Sequence, residues 1–325
     1  MPAPRVALNG FRPDLGTMFQ FDDLMNRNGF IGHMVAPVFE AAEQAGSYGL
    51  IPLKQLLQEP ETGRNSRGDY NRIDFTFEDT VYATKENGLE IPIDDRKARI
   101  HRDFFDFEVV CMATILDAVL RKAEKRIADL IFNATTFTSQ TTSVGVGLEW
   151  DDFVNSTPIN DVETAVRAVW TRTGMWPNAL IINRHVFRNL RQCDQITAVI
   201  ASSGAGSSIE TGKITAAQLA SVFDLPKIII AGSARDSAKE GQTVSVANVW
   251  SNEYAMVARV AETNNIEEPC LARTIHWGED GSTIGGTQET YYNDPSRGSI
   301  ARVRHETQEK IMYTEMGQLL DNVTT

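Results

Sequence analysis

The order of apolar and polar positions along the chain separates it into segments of distinct character. Between 106 and 133, Val109, Met112, Leu116, Val119, Ala123, Ile127 and Leu130 recur at steps of three and four, which makes one apolar stripe and predicts a single long helix. At about 1.5 Å per residue it would be roughly 40 Å long, the dimension of a structural spine. Asp117 with Arg121, and Lys125 with Asp129, fall at i,i+4 on its wet side, each pair contributing roughly 0.2–0.5 kcal/mol. Residues 73–81 instead alternate Ile73, Phe75 and Phe77 with Asp74, Thr76 and Glu78, the period of two that marks a strand. Just before them, 59–72 is polar, rich in Gly and Arg, and nearly free of large apolar side chains, so it cannot pack into a core. Together these predict a long two-stranded β-excursion with a charged tip. Isolated hairpins are marginal in water, so this one requires another surface to lie on.

The remaining pattern predicts a helix at 34–44, an amphipathic helix at 160–173 with Val162, Val166, Val169 and Trp170 on one side, a buried strand at 179–182 and a helix at 184–191. A second helix and strand follow at 215–223 and 227–230. From 243 the chain turns β-rich, with strands in 245–250, 253–260 and 274–277, then one long alternating run at 299–313. In that run Ile300, Val303, His305 and Thr307 cannot share a face without a bulge or bend, so the register there is left open. The C-terminus reads as a short polar tail.

Composition narrows the class. A chain of 325 residues with 42% apolar and 23% charged content can bury a sizeable core, in two domains or one elaborated one. A formal net charge of -12 argues against a surface that binds nucleic acid broadly by neutralising phosphates. Cys111, Cys193 and Cys270 are odd in number and far apart, which suggests neither a disulfide framework nor a CxxC site and fits a reducing compartment. No apolar run has signal-peptide or membrane-spanning form, so the expectation is a protein neither secreted nor membrane-spanning.

Residues 202–215, SSGAGSSIETGKIT, raise the possibility of a phosphate-binding loop. The Walker A pattern needs Gly, four residues, then Gly-Lys-Ser/Thr; here Ser207 stands at the first anchor and Ile214 follows Lys213. No strand leads into the segment, as a phosphate cradle requires. The reading is a mobile surface loop around Gly204, Gly206, Gly212 and Lys213. His33, His101, His185, His276 and His305 show no i,i+4 pair, and no GxSxG elbow occurs. The sequence therefore predicts no catalytic residue, no cofactor and no metal. Glu59, Glu61, Arg64, Arg67, Asp69 and Arg72 at the tip of the excursion mix both charge signs, which suits pairing with a neighbouring subunit better than nucleic-acid binding.

Four segments in sequence order resemble the major capsid proteins of tailed bacteriophages, which share the Hong Kong 97-type fold. They are 81–108 (VYATKENGLEIPIDDRKARIHRDFFDFE), running into the spine-like helix with its Glu124; 164–196, with its Thr-Gly-x-x-Pro-Asn turn; 214–234 (ITAAQLASVFDLPKIIIAGSA); and 248–260 (NVWSNEYAMVARV). The matching segments spread over 40–315.

The resemblance implies an α+β fold: an N-terminal arm and short helix (1–45), an extended β-hairpin E-loop (46–85), and a P-domain (86–150) holding the spine helix. An α/β A-domain (151–262) and a return to P-domain strands and a C-terminal tail (263–325) complete it. It implies no enzyme but a shell subunit whose E-loop lies over its neighbour, assembling into hexamers and pentamers of an icosahedral virion capsid. That shell would enclose double-stranded DNA without sequence-specific binding and without a membrane, after synthesis in the bacterial host cytoplasm. With the arm beginning almost at Met1, a separate scaffolding protein is expected, beside a portal and a decoration protein as further partners. Lys54 and Lys85 lie near the ends of the E-loop, away from its tip, so covalent cross-linking is not expected. An encapsulin-like nanocompartment is the alternative within the fold, and a nucleotide-dependent enzyme using 202–215 the alternative outside it.

Overall fold

The computed structural model describes residues 10–11, 29–74, 76–101, 107–202 and 214–325. β1 (Gly10–Phe11), the one-turn α1 (Gly32–Val35) and β2 (Val38–Ala41) come first, followed by the hairpin strands β3 (Ala45–Leu50) and β4 (Glu78–Ala83) with the short α2 (Leu53–Leu56) between them. β5 (Lys85–Asp94) and α3 (Asp95–His101) lead to the 25-residue α4 (Phe107–Ile131), the spine. Next come β6 (Thr141–Ser143), α5 (Pro158–Thr173), β7 (Ala179–Asn183), α6 (Arg184–Leu190), α7 (Asp194–Ser202), α8 (Ala216–Val222) and β8 (Lys227–Ala231). The rest is β: β9 (Ala234–Asp236), β10 (Val246–Asn248), β11 (Ala255–Ala258), β12 (Ala272–Trp277), β13 (Thr287–Asn293), β14 (Gly298–Ile311) and β15 (Gly317–Asp321).

Two sheets share the spine. In the first, β1, β13, β14, β12 and β2 lie in that order, with β5 also paired to β14. β14 is the hub because it is long enough to serve three partners: β13 along 298–304, β5 along 298–307 and β12 along 307–311. The pairing with β5 runs one to one from Gly298 to Thr307, with no bulge along it. Ala301, Val303, His305 and Thr307 are buried together, and Ile300 simply stands on the opposite face. Met112, Leu116 and Val119 of α4 pack on Ile93, Ala301 and Val303 beneath them.

The second sheet runs β6, β15, β11, β7, β8 and is covered on both faces. Ala179, Ile181, Met256, Ala258 and Leu319 face the C-terminal half of the spine, against Ile127, Ala128 and Ile131. Leu180, Ile182, Ala255, Val257 and Leu320 face the layer of α5 to α8. Strands buried on both sides read as continuous apolar runs without alternation, as Ala179–Ile182 does.

Several expectations change. Within 34–44 only Met34 and Val35 are helical, and 38–41 is β2, parallel to β12. Pro37 disfavours the helical region for Ala36, whose φ and ψ are -122° and 80°. The strand expected at 73–81 begins at Glu78, because β3 ends at Leu50 and leaves the earlier residues without a ladder partner. Trp170 leaves the apolar side of α5: Val162, Val166 and Val169 are buried and Trp170 is exposed. The polar tail is instead a strand, since β15 pairs with β11 and β6 and Val323 is fully buried. Thus 317–321 and 141–143, expected outside the α/β part, belong to its sheet.

Candidate assembly surfaces

The hairpin is fixed at its root and free at its tip. β3 and β4 pair antiparallel from Ala45 with Ala83 to Leu50 with Glu78. At the root, the Ala83 amide donates to Gln308 Oε1 at 2.9 Å, and Thr84 Oγ1 donates to Glu306 Oε1 at 2.8 Å, both on β14. The Lys310 ammonium bonds the Val81 carbonyl and lies 5.5 Å from the centre of the Tyr48 ring. Burial pushes the Tyr48 phenol up to about 12, so it stays a neutral donor, to Met312 Sδ at 3.3 Å. Farther out, Leu57 sits over the C-terminus of α5, where a Cβ on Gly174 would lie 2.7 Å from Leu57 Cδ2.

Glu59, Glu61, Arg64, Arg67, Asp69 and Arg72 are all exposed at or beside the tip. Gly68 N–H donates to the Asn65 carbonyl at 3.0 Å to close the turn, with Arg67 at φ +68°. Arg64 Nε donates to the Gly68 carbonyl at 2.7 Å, and its guanidinium lies 4.5 Å from the centre of the Tyr70 ring. Asn71 Nδ2 donates to the Glu61 carbonyl at 2.7 Å. None of the six enters an ion pair among the described residues. The hairpin also exposes apolar side chains: Leu57, Tyr70 (72%), Ile73, Phe77 and Val81 (71%). Several large apolar side chains exposed on one element make the hairpin a candidate interaction surface.

Glu124 is the feature least legible in the sequence. It interrupts the buried side of α4, is 2% exposed, and accepts from Ile31 N–H at 2.8 Å, Gly32 N–H at 2.7 Å and Trp250 Nε1 at 2.6 Å. Burial holds its carboxyl above the usual range, against the pull of the three donors. The contact joins the start of α1, the spine and the loop before β11. Gly32 permits it, since a Cβ there would meet Glu124 Oε2 at 2.6 Å. The one available sequence signal was a carboxylate among Leu120, Ile127 and Ala128 on a buried stripe, a position where an unpaired charge is costly.

The described residues contain no group of His, Cys, Asp and Glu able to hold a metal. Cys111, Cys193 and Cys270 are buried, and burial raises each thiol, so none is an activated nucleophile. Ser282 Oγ approaches His276 Nε2 at 3.4 Å, but it donates to the Trp277 carbonyl at 2.8 Å and both residues are buried. Gly204, Gly206, Gly212 and Lys213 lie outside the described residues. Their flanks are both helical: α7 ends at Ser202, and Thr215 caps α8 through a reciprocal pair with Gln218. A phosphate cradle needs a strand on the entering side. No helix among the described residues is long and apolar enough to cross a membrane.

No protein-family model matches the chain. A relative, the major capsid protein of Burkholderia phage BcepMu, is 24% identical over 258 residues, 76% of this chain and 78% of that protein. Among solved structures, a phage-related protein from Bordetella bronchiseptica RB50 is similar with a TM-score of 0.68 and 18% identity, covering 97% of this chain and 98% of its own. The capsid structure of cyanophage P-SCSP1u is similar with a TM-score of 0.58 and 10% identity, covering 88% and 86%. At such identities the structural likeness establishes a shared fold.

Proposed function

We infer that the chain is a tailed-phage major capsid protein of the Hong Kong 97-type fold, whose copies form the icosahedral shell around a double-stranded DNA genome. The relation to a phage major capsid protein over three quarters of both chains carries this reading. The hairpin supports it physically: an exposed arm with exposed apolar side chains and charges that enter no ion pair among the described residues is stable only against another chain. In domain terms, β3, β4 and the tip form the E-loop, the spine with the first sheet the P-domain, and the second sheet with α5 to α8 the A-domain.

Hexamers and pentamers of this subunit close the shell, and many modest contacts add through multivalency. A net charge of -12 suits a container that must fill and empty, since tight phosphate contacts would oppose both. The role is structural. Assembly takes place in the host cytoplasm with a separate scaffolding protein and a portal, and a decoration protein is a further candidate partner.

The test is sizing of the purified protein with and without crowding agent, followed by negative-stain microscopy, beside a variant lacking residues 63–71. Wild type should form capsomers or closed shells, and the deletion should fold yet fail to close shells. A monodisperse small oligomer that never assembles overturns the reading. Normal shells from the deletion would remove the E-loop from assembly.

A further inference from the structure

We propose that a small chamber beneath the spine is a built hydration site, in which His305 of β14 and the carboxyl groups of Glu124 and Glu309 hold one or two ordered water molecules. The site belongs to the folded subunit and does not depend on the shell reading. The chamber is a cavity of about 30 Å³. Leu120, Ala123 and Glu124 of the spine form one wall and His305, Thr307 and Glu309 of β14 the other, with α1, β2 and β12 closing the sides. A water needs roughly 10–15 Å³ of such volume, so the chamber has room for one or two.

His305 is the side chain that calls for a ligand. It is 1% exposed, and neither ring nitrogen has a hydrogen-bond partner of ordinary geometry among the described residues. The Ile284 backbone, in the same wall, approaches the ring without completing such a bond. A neutral imidazole carries one N–H donor and one acceptor nitrogen, and buried polar atoms are ordinarily satisfied by protein or by ordered water. Water is small enough for the chamber and can answer either nitrogen, accepting from the N–H or donating to the lone pair.

Two carboxyl groups in the walls complete the bonds such a water needs. A carboxylate has about four acceptor sites. Glu124 fills three of them, from Ile31 N–H, Gly32 N–H and Trp250 Nε1. Glu309 also fills three, accepting from Arg126 Nε at 2.9 Å, Arg126 Nη2 at 2.8 Å and Thr307 Oγ1 at 3.2 Å. Each therefore keeps about one site for a water hydrogen. Leu120, Ala123 and Ile127 make the rest of the lining largely apolar, and a wholly apolar cavity stays dry; the imidazole and the two carboxyl groups set this chamber apart from such a void. A metal ion does not fit, since no group among the described residues could hold one.

A density map of the wild-type protein, at a resolution where buried waters appear, should show one or two maxima within about 3.2 Å of a His305 ring nitrogen. A map that resolves other buried waters and is blank here overturns the site. Oxygen-17 magnetic relaxation dispersion of the unassembled subunit counts long-lived waters independently. His305→Leu, similar to histidine in volume but unable to hydrogen-bond, should lose one or two of them relative to wild type. His305→Gln, which keeps a donor and an acceptor, should retain at least one. An unchanged count in His305→Leu, or an equal loss from both variants, overturns the hydrogen-bonded site, and if His305→Leu fails to fold the wild-type map decides alone.

Discussion

Replacing Glu124 perturbs three elements at one atom pair. Oε1 accepts from Ile31 N–H and Trp250 Nε1, and Oε2 from Gly32 N–H. In Glu124→Gln the better amide orientation keeps the oxygen toward Ile31 and Trp250 and turns the NH2 group against the Gly32 N–H. Two buried N–H donors, that of Gly32 and the new amide, then face each other unsatisfied, a loss of about 1–3 kcal/mol each, partly offset because a desolvated charge is removed. The expected net destabilisation is about 2 kcal/mol. In Glu124→Leu all three donors lose their acceptor; at about 1–3 kcal/mol each, less the several kcal/mol released with the charge, the net loss is about 2–4 kcal/mol. Urea unfolding of the unassembled subunit reads both values, and amide exchange at Ile31 and Gly32 should accelerate first, because they lose their acceptor directly. A Glu124→Leu subunit within 0.5 kcal/mol of wild type, with unchanged exchange at these amides, would refute the assignment of the carboxylate as the joint between the start of α1, the spine and the loop before β11.

Two further outcomes follow from the structure. Burial, and then the Arg126 charge, bring the His305 imidazole down to about 4 in the folded state, while Glu309 pulls the other way and His276 adds to the lowering. The native state holds His305 neutral and the unfolded chain binds a proton below about 6.5, so this contribution is complete above pH 6.5 and is lost as pH falls toward 4, about 3 kcal/mol across the window. His305→Gln should flatten the pH dependence of subunit unfolding there by about that amount, and a curve parallel to wild type would contradict it. Gly174→Val places a β-branched residue at φ +67° and should lower subunit stability by about 1–2 kcal/mol. Adding Leu57→Ala should recover little in thermal melts, since the backbone sets the loss and Leu57 is a side chain that can move; full recovery would show that the contact governs instead.

The elements legible in the sequence were those specified by near neighbours. The spine shows itself through a stripe that repeats every three or four residues over 25 positions, and its pairs Asp117 with Arg121 and Lys125 with Asp129 form as the spacing requires. α5, β7, α6, α8 and β8 carry comparable local signals, and so does the charged, core-less tip of the hairpin. The strands β2, β6 and β15 carry none. Each has three to five residues and exists because a distant strand supplies its hydrogen bonds: β12 for β2, and β15 for β6. Periodicity also could not place Trp170, which sits at the margin of the stripe of α5; only the turn at Gly174, bringing Trp176 beside it, decides that it faces solvent in a stacked pair. Glu124 lay on a buried stripe in plain view, but its three donors are brought together from positions 92 to 126 residues away. The sequence by itself determined the spine, α5, α6, α8, β7, β8 and the long run of β14, because those follow from side-chain spacing. Tertiary structure alone decided which short segments became strands, where the buried carboxylate found its donors and which aromatic side chains stayed outside, because each depends on partners far away along the chain.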